Sequence, residues 1–349
     1  MAVDSHSSFR VALTADFYNS DQQCHYPDIG LSLLAEAGIP VQRFDRHRPI
    51  IEAGQWREAQ GIICLTPRVT AASLTPSDDL LVIGRFGVGY DSVDVAACTA
   101  SDVMLCIAAG AVDRPVAEAT VGWIIALTHH IRTKDHLVRT GRWDDRNAYM
   151  GTELRDRTLG IVGCGGIGKA VLQLLSSFNM NRPLVYDPCL TAEAIAALGA
   201  EPVTLDDLLR RADFVSIHCP LNAQSRGLIA ARELALMKPT AYLINTARGG
   251  IVDESALYAA LCERRIAGAA IDCFEQEPIL SPPKWATLDN VILAPHSIAW
   301  THEMFRDIGR CACQVMIDLS QHRVPAGIVN REVLDRPSFQ DKWRRLCPK

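Results

Sequence analysis

The stretch Leu159-Gly-Ile-Val-Gly163-Cys-Gly165-Gly-Ile-Gly168-Lys169 decides the fold of this 349-residue chain. It reads as an apolar strand, a tight turn and the start of a helix, and its glycines have the G-x-G-x-x-G spacing. The first glycine allows the tight turn, the second lets the backbone approach a pyrophosphate, and the third permits close packing of helix against strand. Because a helix N-terminus offers free N–H groups, the stretch predicts a dinucleotide-binding turn.

The next predicted strand ends at Asp187, 24 residues beyond Gly163. A carboxylate at this position can accept hydrogen bonds from both ribose hydroxyls of the adenosine half, and it would repel a 2′-phosphate. Pro188 and Cys189 follow it rather than an arginine. The sequence therefore favours NAD over NADP, while a glycine-rich turn that binds nothing stays open as the alternative.

Short apolar runs alternate with longer segments of helical period on both sides of this stretch. The alternation is typical of a parallel sheet covered by helices, so the predicted fold class is α/β. Strands are expected at residues 10–15, 61–65, 81–84, 103–107, 158–162, 183–186, 214–218, 241–245, 268–271 and 291–294. Helices are expected at residues 30–37, 93–99, 115–140, 166–178, 192–198, 205–212, 230–237, 254–263 and 301–321.

The glycine turn begins only after residue 160, so the dinucleotide-binding domain cannot start the chain. We expect two doubly wound parallel-sheet domains, with a Rossmann domain at residues 109–299 inserted into a flavodoxin-like substrate domain at residues 1–108 and 300–349. The helical stretch opened by Asp113 and Pro115 would lead from one domain into the other. Hinge motion near residues 108 and 298 would close the cleft and exclude water.

Composition excludes several classes of protein. The 35 Lys and Arg against 40 Asp and Glu give a net charge of −5 with no long basic block, which argues against a nucleic-acid partner. No apolar run approaches the ~18 residues of a membrane span. Residues 1–10 hold no apolar core of signal-peptide length, which predicts a cytoplasmic protein. The 12 cysteines form no C-x-x-C pair and several lie in apolar runs, so neither a metal site nor a disulfide framework is expected.

Four further segments each follow an apolar strand. They are His218-Cys-Pro-Leu221, Asn245-Thr-Ala-Arg248-Gly-Gly-Ile-Val-Asp253, Asp272-Cys-Phe-Glu-Gln-Glu277-Pro278 and Ala294-Pro-His296. Because open α/β folds bind ligands beyond the carboxyl ends of their strands, we expect these segments to converge in space.

In this order the motifs resemble the D-isomer-specific 2-hydroxyacid dehydrogenases, which include glycerate, glyoxylate/hydroxypyruvate and phosphoglycerate dehydrogenases. The resemblance covers about residues 80–333. It implies an NAD-dependent enzyme that interconverts a 2-oxo acid and a D-2-hydroxy acid, and a homodimer formed through the dinucleotide-binding domain. Because the chain ends soon after Val333, we expect no C-terminal regulatory domain. The apolar face of Val116, Thr120, Trp123, Ile124 and Leu127 is a candidate dimer contact or, equally, part of the core.

The residue matches imply Arg248, Glu277 and His296 as the catalytic trio. His296 can protonate the carbonyl oxygen near neutral pH, Glu277 would stabilise the imidazolium, and the fork-shaped Arg248 would bind the substrate carboxylate and polarise the carbonyl. The implied cofactor contacts are Gly163, Gly165, Gly166, Ile167, Gly168, Asp187, His218, Cys219, Pro220, Thr246, Ala247, Arg248, Asp272 and His296. The implied substrate contacts are Val88 and Gly89 through their backbone, with Arg248, His296 and Trp300.

Three departures from the family pattern stand out. Ile107-Ala-Ala-Gly110 replaces the common N-A-P-G turn, and Trp300 follows the P-H motif, where it would narrow the substrate pocket or lie at the hinge. Gly166 stands where an arginine often follows the second glycine, which predicts a lower cofactor affinity. Two other functions stay open: oxidation of another donor such as formate or phosphite, and a catalytically silent, NAD-sensing corepressor. The retained Glu277 favours hydroxyacid chemistry over formate.

Overall fold

The computed structural model describes residues 9–348, so most of the segment on which the cytoplasmic prediction was based lies outside the described residues. Backbone proximity divides the chain into two compact units. Unit 1 runs to Val112 and resumes at Trp300, and unit 2 is Asp113–Ala299. The first boundary follows Val112 rather than residue 108. Within residues 9–348, no helix is long and apolar enough to cross a membrane.

The elements found in the described residues alternate along the chain as the sequence predicts. The strands are β1 (Val11–Leu13), β2 (Val41–Arg43), β3 (Gly61–Cys64), β4 (Val82–Arg85), β5 (Met104–Ile107), β6 (Leu159–Val162), β7 (Leu184–Tyr186), β8 (Glu201–Pro202), β9 (Phe214–Ile217), β10 (Tyr242–Asn245), β11 (Gly268–Ile271) and β12 (Val291–Leu293). The helices are α1 (Leu31–Glu36), α2 (Val95–Ala100), α3 (Asp113–Thr128), α4 (Ile131–Arg139), α5 (Gly166–Leu175), α6 (Ala192–Ala197), α7 (Leu205–Arg211), α8 (Ala231–Leu236), α9 (Glu254–Cys262), α10 (His302–Ser320) and α11 (Pro337–Leu346). Short 3-10 segments occur at Ala15–Phe17, Ala71–Leu74, Trp143–Ala148, Lys284–Thr287 and Arg331–Asp335.

Unit 1 holds a five-stranded parallel sheet with the order β2-β1-β3-β4-β5. This is the flavodoxin-like order that the sequence predicts. Helix α10 packs against the sheet because two strand glycines leave room for Met316: a Cβ at Gly61 would overlap its sulfur, and one at Gly84 would lie 2.9 Å from its Cε. The C-terminal part of the chain therefore completes the first domain.

Unit 2 holds a seven-stranded parallel sheet with the order β12-β11-β10-β9-β6-β7-β8. Six of these strands, from β6 to β11, have the doubly wound Rossmann order, and β12 extends the sheet beside β11. The strand order reverses between β6 and β9, the point at which such folds bind ligands. The fold class predicted from the sequence is confirmed for both domains.

The prediction of one long helix at residues 115–140 is wrong, because α3 ends at Thr128 and α4 begins at Ile131. The Thr128 carbonyl accepts a hydrogen bond from the Thr152 amide, 3.0 Å away, and His130 takes a left-handed backbone with φ of 53°. A tertiary hydrogen bond at the end of α3 and the reversal at His130 therefore break the pattern that the sequence suggests.

The apolar face of α3 belongs to the core. Trp123, Ile124 and Leu127 are at most 6% exposed in the single chain and lie in one buried apolar cluster with residues of α5, β10 and β11. Thr120 is fully buried as well. Of the two alternatives for this face, the structure supports the core.

Candidate active site

The glycine turn between β6 and α5 has a separate structural reason for each of its three glycines. Gly163 has φ of 87°, and a Cβ there would lie 2.6 Å from the Cys219 nitrogen, in the turn after β9. A Cβ at Gly168 would lie 2.7 Å from the Gly163 oxygen, so α5 needs a glycine to approach the strand. At Gly165 a Cβ would meet nothing within 4 Å. The turn is thus closely packed at Gly163 and Gly168 and open at Gly165, where a pyrophosphate could approach the backbone.

His218 follows β9, next to the glycine turn. Its Nε2 lies 2.8 Å from the Ser216 hydroxyl, whereas its Nδ1 is buried and has no hydrogen-bond partner in the described chain. Burial lowers the pKa of His218 to about 4, so the imidazole is neutral at physiological pH. A buried nitrogen without a partner is unusual in a folded protein and fits a position that a ligand completes.

Asp187 lies directly after β7, on the other side of the glycine turn. One carboxylate oxygen accepts the Cys164 amide at 2.7 Å, and the other accepts the Cys189 amide at 2.8 Å. These bonds hold the carboxylate at the strand end, and each oxygen keeps a second acceptor position for a ribose hydroxyl. The glycine turn, His218 and Asp187 therefore fit a dinucleotide.

Arg248 is placed by the turn after β10. The Asn245 side chain shapes this turn, since its amide nitrogen donates to the Arg248 carbonyl at 2.9 Å and its oxygen accepts the Ala247 amide at 3.1 Å. Gly249 then packs directly on the backbone of the turn after β11, where a Cβ would lie 2.5 Å from the Glu275 nitrogen. The half-buried Arg248 is thereby held beside the turn that carries Glu277.

Glu277 and His296 form a hydrogen-bonded pair, with Glu277 Oε2 2.8 Å from His296 Nδ1. The other oxygen of Glu277 accepts the Phe274 amide at 2.8 Å, which fixes the carboxylate. Burial raises the pKa of Glu277, but the hydrogen bonds from His296 and Phe274 and the nearby Arg248 charge outweigh burial and lower that pKa overall. Because an ionised carboxylate only accepts, Nδ1 carries the proton and Nε2 is the nitrogen left for chemistry.

Asp272 holds the backbone around His296. Its buried carboxylate accepts the Ser297 amide at 2.9 Å and the Ile298 amide at 3.2 Å, while the His296 amide donates to its carbonyl at 2.8 Å. Burial raises the pKa of Asp272, although both amides oppose that shift. His296 itself has φ of 52°, a left-handed backbone that a residue with a side chain adopts only when its surroundings impose it.

Cys273 and Thr120 contact residues of this site, although the motifs gave neither of them a role in it. The Cys273 thiol donates to the Ala247 carbonyl at 3.3 Å, and ligand atoms of Cys273, Glu277 and His296 lie within 4.8 Å of one another. The Thr246 hydroxyl lies 3.4 Å from that of Thr120, on α3. Neither contact can be read from sequence spacing, because each joins separate elements.

The remaining predicted substrate residues belong to unit 1. Val88 and Gly89 are half-buried in the loop after β4, and this loop is fixed where the Ala108 amide donates to the Gly87 carbonyl at 2.9 Å. The Trp300 side chain is 56% exposed and packs edge-on against Phe305, with ring centres 5.2 Å apart. Tyr26 and Phe86 complete this aromatic cluster.

Along the carboxyl edge of the unit 2 sheet, the predicted residues thus follow the strand order. His296 follows β12, Glu277 and Asp272 follow β11, Arg248 follows β10, His218 follows β9, the glycine turn follows β6, and Asp187 follows β7. One end of the row offers an acid–base pair and a guanidinium, and the other fits an adenosine half.

The chain is similar to known proteins of one family. A family model described as the NAD-binding domain of D-isomer specific 2-hydroxyacid dehydrogenases matches residues 121–297. The chain is 38% identical over 316 residues to a glyoxylate reductase of Thermofilum pendens, covering 88% of this chain and 93% of that protein. It is also 38% identical over 283 residues to a D-3-phosphoglycerate dehydrogenase of Methanocaldococcus jannaschii, covering 80% of this chain but only 52%, about half, of that longer protein.

Solved structures show the same fold. The NADPH-dependent glyoxylate/hydroxypyruvate reductase of Sinorhizobium meliloti, solved with NADP and malonate, superposes with a TM-score of 0.79 at 25% identity. The match covers 93% of this chain and 97% of that one.

Proposed function

Since the chain belongs to the D-isomer-specific 2-hydroxyacid dehydrogenases, we propose that it reduces a 2-oxo acid to the D-2-hydroxy acid with His296 as the general acid. Membership makes the chain an oxidoreductase that acts on CH–OH donors with a nicotinamide dinucleotide. The single observation that carries the catalytic assignment is the 2.8 Å hydrogen bond between His296 Nδ1 and Glu277 Oε2. It leaves Nε2 as the proton-transferring atom.

In reduction, negative charge develops on the substrate carbonyl oxygen, and protonated His296 would donate its Nε2 proton to that oxygen. Glu277 stabilises the imidazolium before the transfer and holds the ring in one tautomer afterwards. In the reverse direction His296 would take the proton from the hydroxyl group. The bound nicotinamide supplies or accepts the hydride.

Arg248 would bind the substrate carboxylate. A guanidinium presents two parallel N–H donors to a carboxylate, stays charged at all relevant pH values, and can polarise the adjacent carbonyl. We also propose the backbone amides of Val88 and Gly89 as substrate contacts, and Trp300 as the candidate determinant of substrate size.

NAD is the proposed cofactor rather than NADP. The Cys164 and Cys189 amides hold the Asp187 carboxylate at the end of β7. The side chain therefore cannot easily rotate away, and its negative charge would repel a 2′-phosphate. No arginine or lysine occurs among residues 183–192 to counter it. The Sinorhizobium meliloti relative is NADPH-dependent, so the preference within the family varies and has to be measured for this chain.

The test is NADH oxidation with a panel of 2-oxo acids: glyoxylate, hydroxypyruvate, phenylpyruvate and bulkier analogues. We expect His296→Ala to lower kcat by about 100- to 10,000-fold, as loss of a general acid–base group does. His302→Ala, an exposed histidine on α10, is the matched control and should keep full activity. Near-normal turnover of His296→Ala would remove this residue from its role. Formate or phosphite oxidation, or NADH binding without turnover, would favour one of the two other functions instead.

We also propose that the protein is a homodimer formed through unit 2. Large apolar side chains are exposed on α4 and the segment after it, with Ile131 50%, Val138 62%, Trp143 63% and Met150 81% exposed. Such a group is typical of a surface that a partner covers. Light scattering should give twice the chain mass of 38.2 kDa, and Val138→Glu should shift the protein towards the monomer. A monomeric wild type would contradict the proposal.

A further inference from the structure

The first residue of α3 reaches the glycine turn. Helix α3 packs along α5, and this packing brings the Asp113 carboxylate against Gly166, the first residue of α5. A Cβ at Gly166 would overlap the carboxylate and would lie 2.6 Å from its Oδ1 atom. The volume that a side chain at position 166 would need is therefore taken by a carboxylate.

As the first residue of α3, Asp113 places its carboxylate at the positive end of that helix. Asp113 is half-buried, and no hydrogen bond or ion pair of its side chain is found within residues 9–348. Burial raises the pKa of Asp113.

We propose that Asp113 is a determinant of dinucleotide affinity, which weakens binding because its negative charge stands beside the turn that receives the pyrophosphate. The N–H groups at the start of α5 attract the pyrophosphate, and the Asp113 carboxylate repels it from the side. The inference depends on the proposed dinucleotide site. Its consequence is ready release of the cofactor.

Equilibrium binding to the full-length protein without substrate tests the proposal. Asp113→Asn keeps the shape of the side chain and removes its charge. At low salt we expect NADH and ADP-ribose, followed by calorimetry, to bind about 3- to 10-fold more tightly than to the wild type. Since salt screens charges, the difference should shrink towards 1 M salt. Adenosine, which lacks the pyrophosphate, should bind both proteins equally.

Asp135→Asn is the matched control, because it removes one charge from an exposed position on α4 in the same unit. Its affinity for NADH should equal that of the wild type. Thermal unfolding of every variant shows whether the start of α3 is intact, and Asp113→Ser, which is also uncharged, replaces Asp113→Asn if the latter is unstable.

A second pair of variants tests the shared volume. In an Asp113→Ala background, Gly166→Arg gains both the space and a cation, so NADH should bind still more tightly than to Asp113→Ala alone. In the wild-type background the same arginine would pair with the Asp113 carboxylate, so the gain over the wild type should be smaller than the gain in the Asp113→Ala background. Equal NADH affinity of the wild type and Asp113→Asn at low salt would overturn the inference. A wild type that binds no NADH would instead overturn the proposed function.

Discussion

The Glu277 carboxylate can be neutralised with little change of shape by Glu277→Gln. The glutamine oxygen can still accept the His296 Nδ1 proton, so the ring keeps its tautomer, but the imidazolium loses its neighbouring negative charge and the glutamine NH2 group replaces the oxygen that accepts the Phe274 amide. The variant therefore separates the charge of Glu277 from its role as an acceptor. Glu277→Ala removes both, and since the Phe274 amide loses its acceptor in either variant, the difference between the two variants reports the acceptor role at His296.

The size of the effect follows from the geometry. A hydrogen bond between charged groups contributes about 1.5–3 kcal/mol. The His296 and Glu277 side chains are 44% and 35% exposed, so solvent screening reduces the contribution of the charge. We take about 1–2 kcal/mol, which corresponds to a fall in kcat of about 5- to 30-fold. Glu277→Ala should lose more, on the order of 100-fold.

The assay is the pH dependence of kcat for 2-oxo acid reduction between pH 5 and 9. The pKa of Glu277 is lowered from 4.5, so the wild-type carboxylate stays ionised over this whole range and its own titration does not shape the profile. In Glu277→Gln, reduction should decline at a lower pH than in the wild type, because the protonated ring has lost its stabilising anion.

The matched control is Glu275→Gln, on the same turn, whose carboxylate accepts the Glu254 amide instead of contacting His296. It should leave both kcat and the pH profile unchanged. If Glu277→Gln keeps kcat within twofold of the wild type and its profile superposes on the wild-type curve, the carboxylate does not assist proton transfer and the reasoning is refuted.

Three further substitutions test the other assignments. Asp187→Ser should raise the NADPH:NADH ratio of kcat/KM at least 10-fold, since it removes the charge that opposes a 2′-phosphate, and an unchanged ratio would contradict that role. Asp272→Ala should lower kcat about 10- to 100-fold because the Ser297 and Ile298 amides lose their acceptor. Asp272→Asn should restore part of the activity, and an equal loss in both variants would indicate that the charge of Asp272 matters rather than its positioning of the backbone. Trp300→Ala should raise the phenylpyruvate:glyoxylate ratio of kcat/KM about 10-fold if the indole limits substrate size, whereas an equal change for both substrates would indicate the hinge.

The strands could be predicted because parallel strands buried on both faces leave apolar runs in the sequence. All ten predicted strands are present, and the two that were missed, β2 and β8, are short edge strands with exposed residues and few apolar side chains. Helix α11 was missed too, although Pro337 stands at its start. The break between α3 and α4 depends on Thr152, which is distant in sequence, so a local pattern could not reveal it.

The site was predictable where residues follow strand ends, because topology then brings them to one edge. His296 and Glu277 are in hydrogen-bond contact, as the family resemblance implied. The Asp113 contact with Gly166 escaped prediction, since it arises from the packing of α3 on α5. The function of Asp272 as an acceptor for the amides after His296 also appears only once β11 and β12 are paired.

The order of turns along the sheet edge separates the residue proposed to select the cofactor from the pair proposed to transfer the proton. Asp187 and the Glu277–His296 pair lie on opposite sides of the strands β6, β9 and β10, and within residues 9–348 they share no hydrogen-bond partner. Substitutions at distant sites without common partners usually combine additively. A lineage of this enzyme could therefore switch its electron donor while its proton chemistry stays untouched, and the free-energy effects of Asp187→Ser and Glu277→Gln should simply sum in the double variant.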